Sequence, residues 1–225
     1  MIMRIAFFSD VHGNIAGLRE VIKEIEKYEN IAHIVGLGDY FGWDDSCYEI
    51  IDLLTKKNVI LIRGNHDEEL NMLDNGEDNG FCKDIYVAHE WLLKNLTKDD
   101  YKKYITTLPT VFRLKLNDKY SLIGFHAASE DMFSNTCGTD NSYDTLEKTY
   151  GKLQENVIIY GHFHKSHIIP LKDKLLINCA SVGIRRDDNL SSYTIIEYDE
   201  EKIAVIQKQI PYDRNKEKRF WELVE

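Results

Sequence analysis

The chain has 225 residues, of which 43% are hydrophobic, and a formal net charge of −10. That length and apolar content are enough to bury a sizeable core as one domain, and the acidic balance argues against a protein whose main business is coating nucleic acid. Cys47, Cys82, Cys137 and Cys179 lie far apart with no C-x-x-C pair, so neither a zinc knuckle nor a disulfide framework is expected.

Met3 to Ser9 is a near-continuous apolar run, the pattern of a strand buried on both faces. It begins with no charged n-region, apolar h-region or cleavage site, and no apolar run approaches a membrane span. These features predict a cytoplasmic protein with no membrane partner. Asp10-Val-His12 follows as a strand-to-helix turn. Alternate residues of an extended stretch project to one side, so Asp10 and His12 can reach a single ion. Leu18, Val21, Ile22, Ile25 and Tyr28 keep helical spacing. A second strand runs from Ile31 to Asp39, completing a βαβ unit.

Tyr40-Phe-Gly-Trp43 reads as an aromatic loop, and Ser46 with Glu49 as a capping box that opens a second helix. Val59 to Ile62 is a third strand, leading into Arg63-Gly-Asn-His-Asp67. Between about residues 68 and 108 the character changes. Asn75-Gly76 and Asn79-Gly80 signal turns, Ile85 to Leu96 is helical in pattern, and Thr97 with Asp100 marks another helix start. This stretch is expected to be a helical excursion beside the active edge of a single domain spanning 1–225.

Val111 to Leu116 and Tyr120 to Phe125 alternate as a hairpin that delivers His126 at its end. A helix from Ser142 to Leu153 and a strand from Val157 to Tyr160 follow, the latter running into Gly161-His-Phe-His164. Leu175 to Asn178, Tyr193 to Tyr198 and Ile203 to Ile210 are predicted to close a second, largely antiparallel sheet.

Four of the apolar runs, those beginning at Met3, Ile31, Val59 and Val157, share one property: they lead into Asp, Asn or His. In open α/β sheets ligands bind beyond the carboxyl ends of the strands, and carboxylate oxygen and imidazole nitrogen are the atoms that hold divalent transition metals. A strand-end Asp alone is as well explained by capping the next turn, and a lone His by core packing. The joint occurrence favours a metal site. His33, His89 and His167 fall outside these positions and read as structural or surface residues.

In order, Asp10-x-His12, Gly38-Asp39, Gly64-Asn-His-Asp67, His126 and Gly161-His-x-His164 resemble the motifs of the calcineurin-like metallophosphoesterase superfamily. Asn178-Cys-Ala-Ser-Val-Gly183 with Arg186, and the helical insert, are similar to its small bacterial and archaeal YfcE-like group. The resemblance implies an α/β fold, a four-layer α/β/β/α sandwich of two mixed sheets flanked by helices. It implies two divalent metal ions, with Mn²⁺ the first expectation and Fe, Zn or Ni as alternatives. One ion would be held by Asp10, His12, Asp39 and His164, the other by Asp39, Asn65, His126 and His162, with Asp39 bridging.

The function implied is hydrolysis of phosphodiesters, with phosphomonoesters and dinucleoside polyphosphates behind, by attack of a metal-bridging hydroxide. His66 would be the general acid, and Asn65 and Arg186 would contact substrate. The partner expected is a small phosphate ester or nucleotide, with no stable nucleic-acid complex and homo-oligomerisation left open. The rival from another class is a non-catalytic metal-binding scaffold of the same fold. Three departures stand out: no Asp-Arg follows Tyr40, so His66 lacks the acidic partner such a run supplies, Phe163 separates the two histidines of the last motif, and Cys179-Ala180 replace Pro-Gly.

Overall fold

The molecule is described by a computed structural model over residues 1–41, 46–77, 83–95, 107–136, 140–183 and 189–213. Strand β1 (Met3–Phe8) is central to the first sheet, and both of its faces are covered, so Ile5, Ala6, Phe7 and Phe8 are all fully buried. That explains its unbroken apolar run. β2 (Ile31–Gly36) pairs parallel to it, and the two-residue β3 (Ile60–Leu61) pairs parallel to β2. Helix α1 (Ile15–Ile25) is capped by Asn14, whose side chain accepts a hydrogen bond from Gly17 N at 2.8 Å.

Helix α2 (Cys47–Lys56) starts after Ser46 as expected, but the predicted capping box is not made. Ser46 has ψ near 0°, whereas a capping hydroxyl reaches back to the first turn from an extended backbone. Helices α3 (Asn65–Asp74) and α4 (Lys83–Asn95) pack against one another. The helix start at Thr97 lies outside the described residues, as does Trp43.

The second sheet contains β4 (Val111–Lys115), β5 (Ser121–Phe125), β6 (Val157–Tyr160), β7 (His167–Leu171) and β8 (Lys174–Asn178), in the order β4-β5-β6-β8-β7. β5, β6 and β8 run parallel, so this sheet is mixed and not largely antiparallel. β7 was not anticipated: Pro170 argues against a strand interior, and it is tolerated here because β7 is an edge.

Strands β9 (Leu190–Tyr198) and β10 (Ile203–Pro211) join the first sheet and not, as expected, the second. β9 lies antiparallel to β1, with Ile5 opposite Ile196 and Phe7 opposite Thr194. Alternation identifies a strand but does not name its neighbour.

Helix α5 (Tyr143–Tyr150), capped by Ser142, packs against β7. One apolar cluster joins the facing sides of the sheets, and a second lies between the first sheet and α1 and α2. The result is an α/β/β/α sandwich of two mixed five-stranded sheets. Among the described residues no helix is long and apolar enough to cross a membrane.

The second sheet is anchored by stacked rings. Phe125 lies 6.0 Å from Tyr150 and 6.3 Å from Tyr160, with near-parallel planes. Truncating a fully buried phenylalanine typically costs about 3–5 kcal/mol. Phe125→Ala is therefore expected to lower the urea midpoint by that amount of stability, and because His126 is the next residue, metal retention should weaken with it.

Candidate metal centre

The turns that follow β1, β2, β3, β5, β6 and β8 meet at one edge of the sandwich. Asp10, His12, Asp39, His162 and His164 all have φ between 46° and 68°, a left-handed conformation that is costly for residues with a Cβ and concentrates at functional sites. Each turn is held by another. Asp10 N donates to Gly38 O, His12 N to Asp39 O, and Gly161 N to His126 O, at 2.9–3.0 Å. His162 N donates to Asp10 Oδ2 at 3.0 Å.

The segment Asn178 to Gly183 buttresses this edge. Ser181 Oγ donates to Asp10 O at 2.8 Å, Gly183 N donates to the same oxygen at 2.9 Å, and Asn178 donates to Gly161 O. Arg186 lies outside the described residues.

The seven expected ligands converge in two groups. In the first, His164 Nε2 is 3.1 Å from Asp10 Oδ1 and 3.1 Å from His12 Nε2, which is 3.8 Å from Asp39 Oδ2. In the second, Asn65 Oδ1 is 2.9 Å from both His126 Nε2 and His162 Nδ1, and His126 Nε2 is 3.2 Å from Asp39 Oδ2. One oxygen, Asp39 Oδ2, belongs to both groups. Its sister Oδ1 accepts the backbone N–H of His66 at 2.9 Å.

The electrostatics are those of a cation site. Burial pushes the carboxyls of Asp10 and Asp39 up, yet the surrounding histidines hold both well below the usual carboxylate range. Burial also pushes His12 and His162 down to about 4. His126 behaves oppositely: burial opposes its charge, but Asp39 and Asp10 raise it to about 10. His126 Nδ1 must donate to the Leu37 carbonyl at 2.7 Å, so in the neutral ring Nε2 turns a lone pair toward the oxygens of Asn65 and Asp39. Such a cluster of acceptors repels itself unless positive charge sits among them.

The donor set therefore fits a pair of divalent ions. With no ion, a proton on His126, favoured by Asp39 and Asp10, would supply the charge. A metal must displace that proton, so affinity should fall as pH falls. Metal loading at neutral pH should release protons, visible as a calorimetric heat that varies with the ionisation enthalpy of the buffer; a heat independent of buffer would contradict this.

Two residues that the sequence reading gave no role complete the site. Asp67 is fully buried and accepts the backbone N–H groups of Asp39, Tyr40 and Gly64 at 2.8–3.0 Å, tying the Asp39 turn to the start of α3. Glu69 corrects the expectation that His66 has no acidic partner: its Oε2 is 3.0 Å from His66 Nδ1. The pair lies three residues apart on a helix, a spacing that places side chains on one face. The signal was concealed because apolar residues are sparse from Asn65 to Asp74, so no helix is expected there. Burial lowers His66, but Asp39 and Glu69 prevail and raise it to about 9. His89, on α4, is buried against this pair, its ring 5.9 Å from that of His66. Tyr40 and Phe41 are buried as loop packing.

Backbone proximity also sets a constraint at Gly64. A Cβ there would lie 2.2 Å from Asp39 Oδ1 and 2.5 Å from Asp39 N. Gly64→Ala must displace Asp39, and overpacking of this kind typically costs about 1–3 kcal/mol. The expected result is a lower melting temperature and weaker binding in both metal groups. A variant with unaltered metal affinity would show that Asp39 can shift without loss.

Residues 3–201 match the family described as the calcineurin-like phosphoesterase superfamily domain. The chain belongs to this superfamily. Its members act on phosphate esters and generally use divalent metals, so this phosphoesterase is a hydrolase of that class. It is 28% identical over 228 residues to an uncharacterized protein of Methanocaldococcus jannaschii, covering 94% of this chain and 89% of the relative. The structure of a hypothetical protein from Pyrococcus horikoshii OT3 shares the fold, with a TM-score of 0.81, 17% identity, and coverage of 95% of this chain and 90% of that one. A metallophosphoesterase from Sphaerobacter thermophilus also shares it, with a TM-score of 0.68, 20% identity, and coverage of 96% and 91%.

Proposed function

We propose that this phosphoesterase hydrolyses phosphodiesters with two divalent ions, the first held by Asp10, His12, Asp39 and His164 and the second by Asp39, Asn65, His126 and His162. The observation that carries this reading is the single oxygen, Asp39 Oδ2, placed between both groups of donors. When bound, the ions would activate a water and withdraw charge from the phosphoryl oxygens. Mn²⁺ is the first choice for reconstitution, and the same nitrogen and oxygen donors suit Fe, Zn or Ni.

His66 is the general acid in this proposal. Its ring is 5.1 Å from that of His12, which puts it beside the first group. With Nδ1 turned to Glu69, Nε2 is the nitrogen that serves the departing oxygen. Asn65, and Arg186 as in the family motif, would contact the phosphate. The excursion at 68–108, through α3 and α4, would shape the pocket within a single domain.

The intact donor set speaks against the scaffold alternative.

The test is metal-free protein reconstituted with Mn²⁺, Fe²⁺, Zn²⁺ or Ni²⁺ and assayed on alkyl and aryl diesters, monoesters and dinucleoside polyphosphates. Diesters are expected to give the highest kcat/KM. A preference for monoesters would overturn the substrate class, and inactivity with both ions bound would return the scaffold reading.

A further inference from the structure

We infer that Glu69 is a positioning residue that sets a metal ligand and the general acid with one carboxylate. This rests on the proposed roles of Asn65 and His66. Glu69 is almost fully buried, and it stands one helical turn beyond both residues on α3, four after Asn65 and three after His66. Its Oε2 is 3.0 Å from His66 Nδ1, an ion-pair approach in which the ring N–H is not aligned as a hydrogen bond, and its Oε1 is a longer 3.5 Å from Asn65 Nδ2.

Each contact selects an orientation that the side chain would not choose alone. An amide presents oxygen and nitrogen at nearly equal geometric cost. A carboxylate only accepts, so it draws Asn65 Nδ2 and leaves Oδ1 for His126 and His162, at 2.9 Å from each. It likewise favours the proton on His66 Nδ1, so Nε2 is the nitrogen that gives up its proton during turnover. His89 on α4 packs edge-on against the His66 ring, with an interplanar angle of 79°, and limits its swing. Partners of this kind, behind the residues that do the chemistry, typically change metal affinity or activity by about 10–100-fold.

The experiment uses full-length protein carrying Glu69→Gln, Glu69→Asp or Glu69→Ala, with Mn²⁺ as probe. Glutamine keeps the size but offers only one accepting oxygen, so it can serve His66 or Asn65 and not both. Three readouts are expected to move. Calorimetry should show one Mn²⁺ equivalent losing about tenfold in affinity while the other is unchanged. Nitrogen-15 spectra of the metal-free protein, recorded at a pH alkaline enough for the His66 ring to be neutral, should show His66 leaving the Nδ1–H tautomer. The kcat on an alkyl diester should fall about 10–100-fold with KM nearly constant, and much less on an aryl diester. Glu69→Asp should restore part of each, because the carboxylate remains.

Unchanged His66 resonances together with unchanged Mn²⁺ affinity would overturn the inference. So would a third Mn²⁺ equivalent that is bound by the native protein and lost in Glu69→Gln, because Glu69 would then be a ligand alongside His66 and His89. If the native protein proves inactive on every diester, the functional reading fails, while the spectra and the affinities still decide the role of Glu69.

Discussion

Asp39→Asn should lose both metal equivalents together, and hydrolytic activity with them. The reason is that Asp39 Oδ2 faces His12 at 3.8 Å in one group and His126 at 3.2 Å in the other. The substituted amide has one oxygen, and the backbone N–H of His66, which Oδ1 now accepts at 2.9 Å, competes for it. Pairing with that N–H turns the NH₂ toward the metals, and an amide nitrogen bearing hydrogens is a donor, not a ligand. Loss of a residue behind a ligand costs about 10–100-fold in affinity, so loss of a shared ligand should cost each ion at least about 100-fold.

The fold should survive, because Asp67 grips the backbone of Asp39 and not its side chain. Asn65→Ala is the control: Asn65 belongs to the second group alone, and one equivalent should remain. Elemental analysis after dialysis, paired with a melting curve, separates the outcomes. A folded Asp39→Asn protein that retained both ions tightly would mean that the two groups do not share a ligand.

The ligand types were legible in the sequence because chemistry-bearing residues stand where apolar runs stop, and a run long enough to be a strand fixes which end they occupy. Asp10, Asp39, His126 and His162 need no more than that to be placed at one edge. Glu69 was not legible, because its partnership with His66 depends on α3 starting at Asn65, in a stretch with too few apolar residues to show helical spacing. The membership of β9 and β10 in the first sheet was hidden for a different reason. Leu190 to Tyr198 carries a strand pattern, but its register against β1 is a long-range choice made by packing Ile195 and Ile196 into opposite clusters. The support given to Asp10 by Ser181 and Gly183 is likewise a contact between distant turns.

His66→Ala is expected to divide substrates by leaving group. A general acid contributes when the departing oxygen is a poor leaving group, and such help is typically worth about 10²–10⁴-fold. An alkyl or nucleoside diester should lose rate in that range, whereas an activated aryl diester, whose phenolate departs without a proton, should lose little. Both ions should stay bound, because His66 contributes only its backbone N–H to Asp39 and that group survives the substitution. The comparison is therefore made at matched metal content. Equal losses on the two substrates would assign His66 to the non-bridging oxygens of the phosphate as an electrostatic contact. No loss on either would remove His66 from the chemistry and leave the dinuclear centre to act without a side-chain acid at that position.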